Sequence, residues 1–311
     1  MKPFFITVDT EGDALWDNPK TIKTENVLWI PRFQELCEKY GFIPIWLTDY
    51  EIICDDRYVE YIKPKAHKGL CEVGIHVHAR NNPPLIKLEG EVENGAAFLI
   101  EYPVEVRKEK FIGLRNLIEE KIGLEVKTHR AGRWTMDEAY VDLLVEEGIK
   151  YDCSVTPGID WSNCAGIVKK NKGSNYANYR NGRQILKGSE NKSIVEYPVS
   201  IDKTKSLILP SRMGIKSSMK SVYHFIKHTD LWLRPNTSGN INEMKYLLRN
   251  ISKNGEYAEF MIHSSELMPG GGPRHQGEAE VKVLFDTMDK LFKYAVELGF
   301  RGYTFDTWEN K

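Results

Sequence analysis

The sequence predicts an α/β protein whose parallel strands are closed into a distorted (β/α) barrel. Three observations predict it. A buried strand begins within the first few residues, helices repeatedly end on glycine and pass straight into a β-rich run, and polar residues capable of chemistry stand where those runs end.

The first strand is Phe4-Phe5-Ile6-Thr7-Val8, an apolar, aromatic and β-branched run without a turn residue. Asp9, Glu11 and Asp13 follow at alternating positions, and Gly12 permits a sharp turn, so three carboxylates crowd the exit of one strand. Like charges this close are tolerable around a cation, or when water and backbone N–H groups solvate them in an acidic surface turn. A helix follows, with apolar positions at Val27, Ile30, Phe33, Leu36 and Cys37. The helix-to-strand phrase then occurs four times: Gly41 before FIPIWLTD, Gly123 before LEVKTHR, Gly148 before IKYDCSV and Gly299 before FRGYTFD. Glycine in the left-handed conformation closes a helix at little steric cost, and the next strand starts without a long loop. Further strands are expected at 72–76, 194–200 and 258–263. A helix carrying Met136, Tyr140, Leu143 and Leu144 is expected to start at Thr135, with Glu138 completing a capping box.

Such alternation implies a parallel sheet, open or closed. No GxGxxG or P-loop sequence follows any strand, which removes the best evidence for a nucleotide-binding open sheet. Asp9, Asp49, His76, His78, Arg130, Asp152, His263 and Asp306 each stand at or just past an expected strand end, the face on which barrels build their active sites.

The 311 residues carry 43 basic and 44 acidic side chains, interspersed, for a net charge of −1. No basic face argues for nucleic acid or an anionic membrane, and no apolar run approaches membrane-spanning length. The first strand leaves no room for a signal peptide, so a cytoplasmic location is expected. Cys37, Cys54, Cys71, Cys153 and Cys164 are odd in number and show no CxxC spacing, which suits reduced thiols used for packing. One domain over 1–311 is expected, with a loop-rich insertion at about 162–235 that is rich in Lys, Asn, Ser, Gly and Tyr. Tyr176, Tyr179, Trp232 and Arg234 are available there to stack on sugars, and a solvated loop is the alternative.

Four constellations carry chemistry. The acids after the first strand are one. In Gly74-Ile75-His76-Val77-His78, side chains two apart on a strand point the same way, so both imidazoles face one site, and paired imidazoles with carboxylates suit zinc or a similar divalent ion. In His129-Arg130-Ala131-Gly132-Arg133-Trp134, Arg130 can hold a carboxylate by a two-pronged hydrogen bond, or serve as an ordinary ion-pair partner. His263 ends an apolar strand and leads into a Gly/Pro loop at 270–273, a position suited to proton transfer, or to a core histidine bonded to backbone.

In this order, TVDTEGD, GIHVH, HRAGRW and FMIHSSEL resemble the motifs of the polysaccharide deacetylases, the NodB-like carbohydrate esterases, over most of the chain. The resemblance implies hydrolysis of an N-acetyl amide on a sugar, with a divalent metal, zinc by preference. It implies Asp9 as general base, Arg130 as its holder, His263 as general acid, and Glu11, His76 and His78 as metal ligands. An N-acetylated carbohydrate would be the substrate, with no nucleic acid and no stable membrane insertion. There are departures. The acids here are Asp9-x-Glu11, with Asp13 a rival ligand, where the family commonly has Asp-Asp or Asp-x-Asp. The family's histidines are four apart, whereas Arg80 stands four past His76. Asp152 and the Asp160-Trp161 pair compete for the family's fourth motif. Two other readings stay open: a metal-free hydrolase of a small amide on the same fold, and a non-catalytic carbohydrate-binding relative.

Overall fold

The computed structural model describes residues 1–17, 19–92, 95, 97–168, 172–189, 191–204, 229–236 and 239–311. Parts of the expected insertion, residues 169–171, 190 and 205–228, therefore lie outside the described residues.

The strands are β1 (Lys2–Thr10), β2 (Pro44–Thr48), β3 (Glu72–Val77), β4 (Thr128–Ala131), β5 (Tyr151–Asp152), β6 (Gln184–Lys187), β7 (Ser193–Glu196), β8 (Ile201–Thr204), β9 (Thr229–Trp232), β10 (Ala258–His263) and β11 (Phe300–Gly302). The helices are α1 (Ile30–Lys39), α2 (Tyr50–Ile53), α3 (Asp56–His67), α4 (Val104–Ile122), α5 (Glu138–Glu146), α6 (Ile241–Asn254), α7 (Glu278–Glu297) and α8 (Phe305–Glu309). One curled sheet runs β10-β1-β2-β3-β4-β5-β7-β6, with β11 also on β1 and every pairing parallel except β6 with β7. β8 and β9 form a separate antiparallel pair.

The sheet closes irregularly, which gives the barrel its distortion. Chain leaving β7 runs from the β5 side to β10: Val199 N–H donates to the Val155 carbonyl at 3.2 Å and Ser200 N–H to the Glu259 carbonyl at 3.4 Å. Gly41, Gly123, Gly148 and Gly299 all take positive φ, between 68° and 88°, as the helix-ending pattern requires. Several strands are shorter than the sequence suggests. β4 starts at Thr128 rather than Leu124, β5 is two residues long, and β7 stops at Glu196. The expected cap also differs: α5 is capped by Asp137, whose carboxylate accepts from Tyr140 N–H at 2.8 Å, while the Thr135 hydroxyl turns back to the Arg133 carbonyl at 3.0 Å.

Strand alternation sorts the buried side chains into two layers. Phe4, Ile6, Val8, Trp46 and Ile75 face the helices and join the large outer core. Phe5, Ile45, Leu47, Tyr151, Tyr197 and Phe305 fill the N-terminal half of the barrel interior as a separate apolar cluster. Thr7, Asp9, His76, Arg130, Glu259 and His263 continue the inward-facing rows toward the strand C-termini. Apolar packing thus plugs the floor, and polar groups occupy the middle and the mouth. Cys37, Cys71 and Cys153 are buried free thiols, whereas Cys54 is exposed and Cys164 half-buried, so packing accounts for three of the five.

Candidate active site

β1 and β10 are neighbours in register, with Asp9 opposite His263, and β3 and β4 set His76 opposite Arg130. Two strand pairs therefore converge on one mouth. The turn after β4 is pressed against the end of β3: a Cβ at Gly132 would come 2.4 Å from the Val77 carbonyl oxygen. Arg133 and Trp134 then take left-handed backbone, φ 56° and 61°, costing on the order of 1–3 kcal/mol each. That turn places the Trp134 ring 5.0 Å from the Arg130 guanidinium carbon.

The three acids of the first turn are buried, not solvated, and they divide their work. Asp9 accepts from Arg130 Nη1 at 2.6 Å, and its other oxygen lies 3.6 Å from His263 Nε2. Glu11 lies 2.7 Å from His78 Nε2, 3.9 Å from His76 Nε2 and 3.8 Å from His263 Nε2. Asp13 leaves the cluster: it accepts from Glu25 N–H (2.8 Å), Asn26 N–H (3.1 Å) and the Asn26 side-chain amide (2.6 Å), capping the turn before α1. Asp13 is thus engaged away from the two imidazoles, whereas Glu11 lies beside them.

Glu11, His76 and His78 offer ligand atoms that all lie within 4.8 Å of one another. One carboxylate and two imidazoles fit a divalent ion of the zinc type, because donors about 2 Å from a common centre must converge in this way. His76 is already aimed: its Nδ1–H donates to the Arg130 carbonyl at 2.9 Å, which leaves the lone pair on Nε2. Asp49 steadies the same turn, accepting from Gly12 N–H at 3.0 Å while capping α2 through Ile52 N–H at 2.9 Å.

Electrostatics separates the groups. Burial would raise the Asp9 carboxyl, but Arg130, His76 and His263 hold it well below the usual carboxylate range, so Asp9 is ionised. Burial pushes His76 down to about 4, which keeps it neutral. Burial also opposes protonation of His78, yet the Glu11 carboxylate, with Asp49 and Glu51 behind it, raises His78 to about 9. Burial likewise opposes the charge on Glu266, but Arg234 and His263 hold its carboxyl far below its ordinary value.

His263 is held from behind by two residues that sequence reasoning missed in this role. Arg234 Nη2 lies 2.8 Å from His263 Nδ1 and 2.8 Å from Glu266 Oε2, and Glu266 Oε2 is 3.3 Å from the same imidazole nitrogen. An arginine can only donate, so with Arg234 in place Nδ1 carries the lone pair and Nε2 the proton. An imidazolium would instead donate its Nδ1–H to the Glu266 carboxylate. Arg234 is thus engaged with His263 rather than lying open for stacking. Tyr176, another expected rim residue, is buried with its hydroxyl on the Trp134 carbonyl at 2.6 Å.

Three other expected mouth residues lie elsewhere. Asp152 faces the opposite side of its strand and pairs with His129 at 2.6 Å. Asp160 turns to Ser162 N–H at 2.8 Å, and its neighbour Trp161 donates to Thr156 at 2.8 Å. Asp306 ion-pairs with Lys127 at 2.6 Å, ahead of β4 and so at the barrel floor. Among the described residues no helix is long and apolar enough to cross a membrane.

No family model matches the sequence, and comparison with curated proteins finds no match. Solved structures do match. A putative polysaccharide deacetylase from Mycobacterium smegmatis superposes with a TM-score of 0.52 at 15% identity, over 97% of this chain and 93% of that one. The 4-alpha-glucanotransferase from Thermococcus litoralis superposes with a TM-score of 0.54 at 13% identity, over all of this chain but 38% of the glucanotransferase, so the chain spans well under half of that protein. At these identities the likeness is one of fold. The fold is that of the NodB-like polysaccharide deacetylases, a distorted (β/α) barrel. Because a glucanotransferase shares the architecture, chemistry has to be argued from the site.

Proposed function

We propose that this protein is a metal-dependent hydrolase that removes an N-acetyl group from a sugar or a surface-polysaccharide precursor. The observation that carries the proposal is the ionised Asp9, locked by Arg130 and set 3.6 Å from His263, beside a Glu-His-His ligand set in the same mouth. Glu11, His76 and His78 would hold the metal, which when bound supplies Lewis acidity toward water and the amide carbonyl. Asp9 takes a proton from the attacking water. Arg130 keeps Asp9 ionised and fixes its free oxygen toward the open mouth. The C–N bond breaks as His263, entering as the imidazolium with its Nδ1–H donating to Glu266, gives the amine its proton from Nε2 and becomes neutral. Asp9 then passes the proton it took from water to Nε2, which restores both groups. Water and amide are consumed; acetate and a free amino sugar are formed. The opposed base and acid favour catalysis over mere carbohydrate binding, since binding requires no such pair.

The test is metal content by plasma mass spectrometry, in the wild type and in His76→Ala/His78→Ala. About one equivalent of divalent metal in the wild type, lost in the double variant, is expected, together with acetate release from an N-acetylated sugar. No metal uptake after incubation with zinc, cobalt or nickel would overturn the metal-assisted mechanism.

A further inference from the structure

Beneath Asp9 the barrel interior carries a second ionic layer that neither the metal ligands nor the proton transfers use. Glu259 stands four residues before His263 on β10, between apolar neighbours Ala258 and Phe260. It is wholly buried. Its Oε1 accepts from Arg130 Nη2 at 2.6 Å and from the Thr7 hydroxyl at 2.7 Å, and Nη2 also donates to that hydroxyl at 2.8 Å. Among the described residues Oε2 has no hydrogen-bond partner. A carboxylate so placed costs folding free energy that an apolar residue of like volume would not.

Arg130 supplies the reason for its position. The guanidinium reaches Asp9 through Nη1 alone, its Nε is taken by the Cys153 carbonyl at 2.8 Å, and its remaining edge ends on Glu259 and Thr7. We infer that Glu259 is a positioning residue of this site, anchoring with Thr7 the far edge of Arg130 and so fixing the nitrogen that holds Asp9. The catalytic consequence rests on the hydrolase reading above; the anchoring does not. Without Glu259, Nη2 keeps only the Thr7 hydroxyl, which itself loses the carboxylate that orients it, so the planar group can turn and carry Nη1 away from Asp9. A shift of about 1 Å in a reacting group can cost up to about a hundredfold in rate.

The layer also leaves a signature in stability. Glu259 faces Arg130 from β4, Thr7 and Asp9 from β1, Cys153 after β5, Glu196 from β7, Tyr257 just before β10, and the Ser200 hydroxyl, which takes its N–H at 2.9 Å. Burial raises its carboxyl from an ordinary 4.5 to about 7, against the pull of Arg130. A carboxyl raised on folding binds its proton more tightly in the folded state. Its contribution is therefore present at low pH and lost as pH rises from about 4.5 through about 7.

Three variants of the full chain test the inference. Glu259→Leu removes the carboxylate acceptor, Glu259→Gln restores a neutral one, and Thr7→Val removes the hydroxyl that bridges Glu259 and Arg130. On an N-acetylated sugar that the wild type hydrolyses, Glu259→Leu is expected to lower kcat by about ten- to a hundredfold with KM within about twofold, and Glu259→Gln to recover most of the loss. In thermal melts across the same pH range, the wild type should lose stability relative to Glu259→Gln as pH rises. Wild-type kcat in Glu259→Leu, or parallel melting curves for wild type and Glu259→Gln, would overturn the assignment. If Glu259→Leu does not fold, Thr7→Val decides: a lower kcat at constant KM supports the anchor, and an unchanged kcat removes it. A wild type that hydrolyses no amide sinks the hydrolase reading, and the melts alone then judge Glu259.

Discussion

Two buried polar clusters lie on neighbouring strands, one built from Asp9, Glu11, His76, His78, Arg130 and His263, the other from His129, Tyr140, Asp152, Ser154 and Glu196. They share residue types and differ in how far they open to solvent. In the second, His129 Nδ1 meets Asp152 at 2.6 Å, His129 Nε2 meets the Tyr140 hydroxyl at 2.8 Å, and the Ser154 hydroxyl donates to Asp152 at 2.8 Å, all out of reach of water. In the first, His263 stands 3.6 Å and 3.8 Å from the carboxylates it faces, and side-chain exposure reaches 12% at His263 and 19% at His78. A closed network rigidifies a core, whereas gaps at a mouth leave room for substrate and water. Consecutive residues of β4 feed the two clusters. Alternation turns Arg130 into the barrel and His129 toward α5.

Changes at the open cluster should therefore show in rate and changes at the closed one in stability. His263→Ala is expected to lower kcat by roughly two to four powers of ten while leaving the melting transition near that of the wild type; wild-type turnover in this variant would sink the acid assignment. Asp152→Ala should instead cost about 3–5 kcal/mol in urea unfolding, because it strands the buried His129, with turnover per folded molecule little changed. A large rate loss at unchanged stability would erase the distinction between the clusters.

A smaller effect sharpens the contrast by pH. His78 is raised on folding, from 6.5 to about 9, so in metal-free protein its pairing with Glu11 stabilises fully below pH 6.5 and is lost as pH rises through about 9. The contribution is on the order of 3 kcal/mol, and the melting curve of His78→Gln should lack that decline. The smallest effect belongs to Asp13. Asp13→Ala should lose about 1–2 kcal/mol of capping and retain the wild-type metal content, whereas loss of metal would return Asp13 to the ligand set.

Much of this architecture is legible in the chain. Local chemistry suffices to mark the strand of Phe4 to Val8, the helix-ending glycines, and the residues delivered to strand ends, because turn conformation and side-chain alternation depend on near neighbours. Asp9, His76, His78, Arg130 and His263 could accordingly be placed at strand ends, and it was the family resemblance that joined them with Glu11 as one set. The same local rules also offered Asp152 and Asp306, with no means of telling which strand ends share a mouth.

Tertiary structure alone decided the rest. Which face of β5 turns outward sent Asp152 to His129, and the short pairing of β11 with the start of β1 left Asp306 at the floor. Glu259 gave a sequence signal only as an acid inside an apolar strand, and its partner Arg130 lies 129 residues away. Arg234 and Glu266 became the backing of His263 only where chain leaving β9 meets the end of β10. The physical reason is common to all of these. Strand character and helix ends are set by neighbours a few residues apart, whereas the charge partner of a buried group is set by long-range register, which a linear reading does not contain.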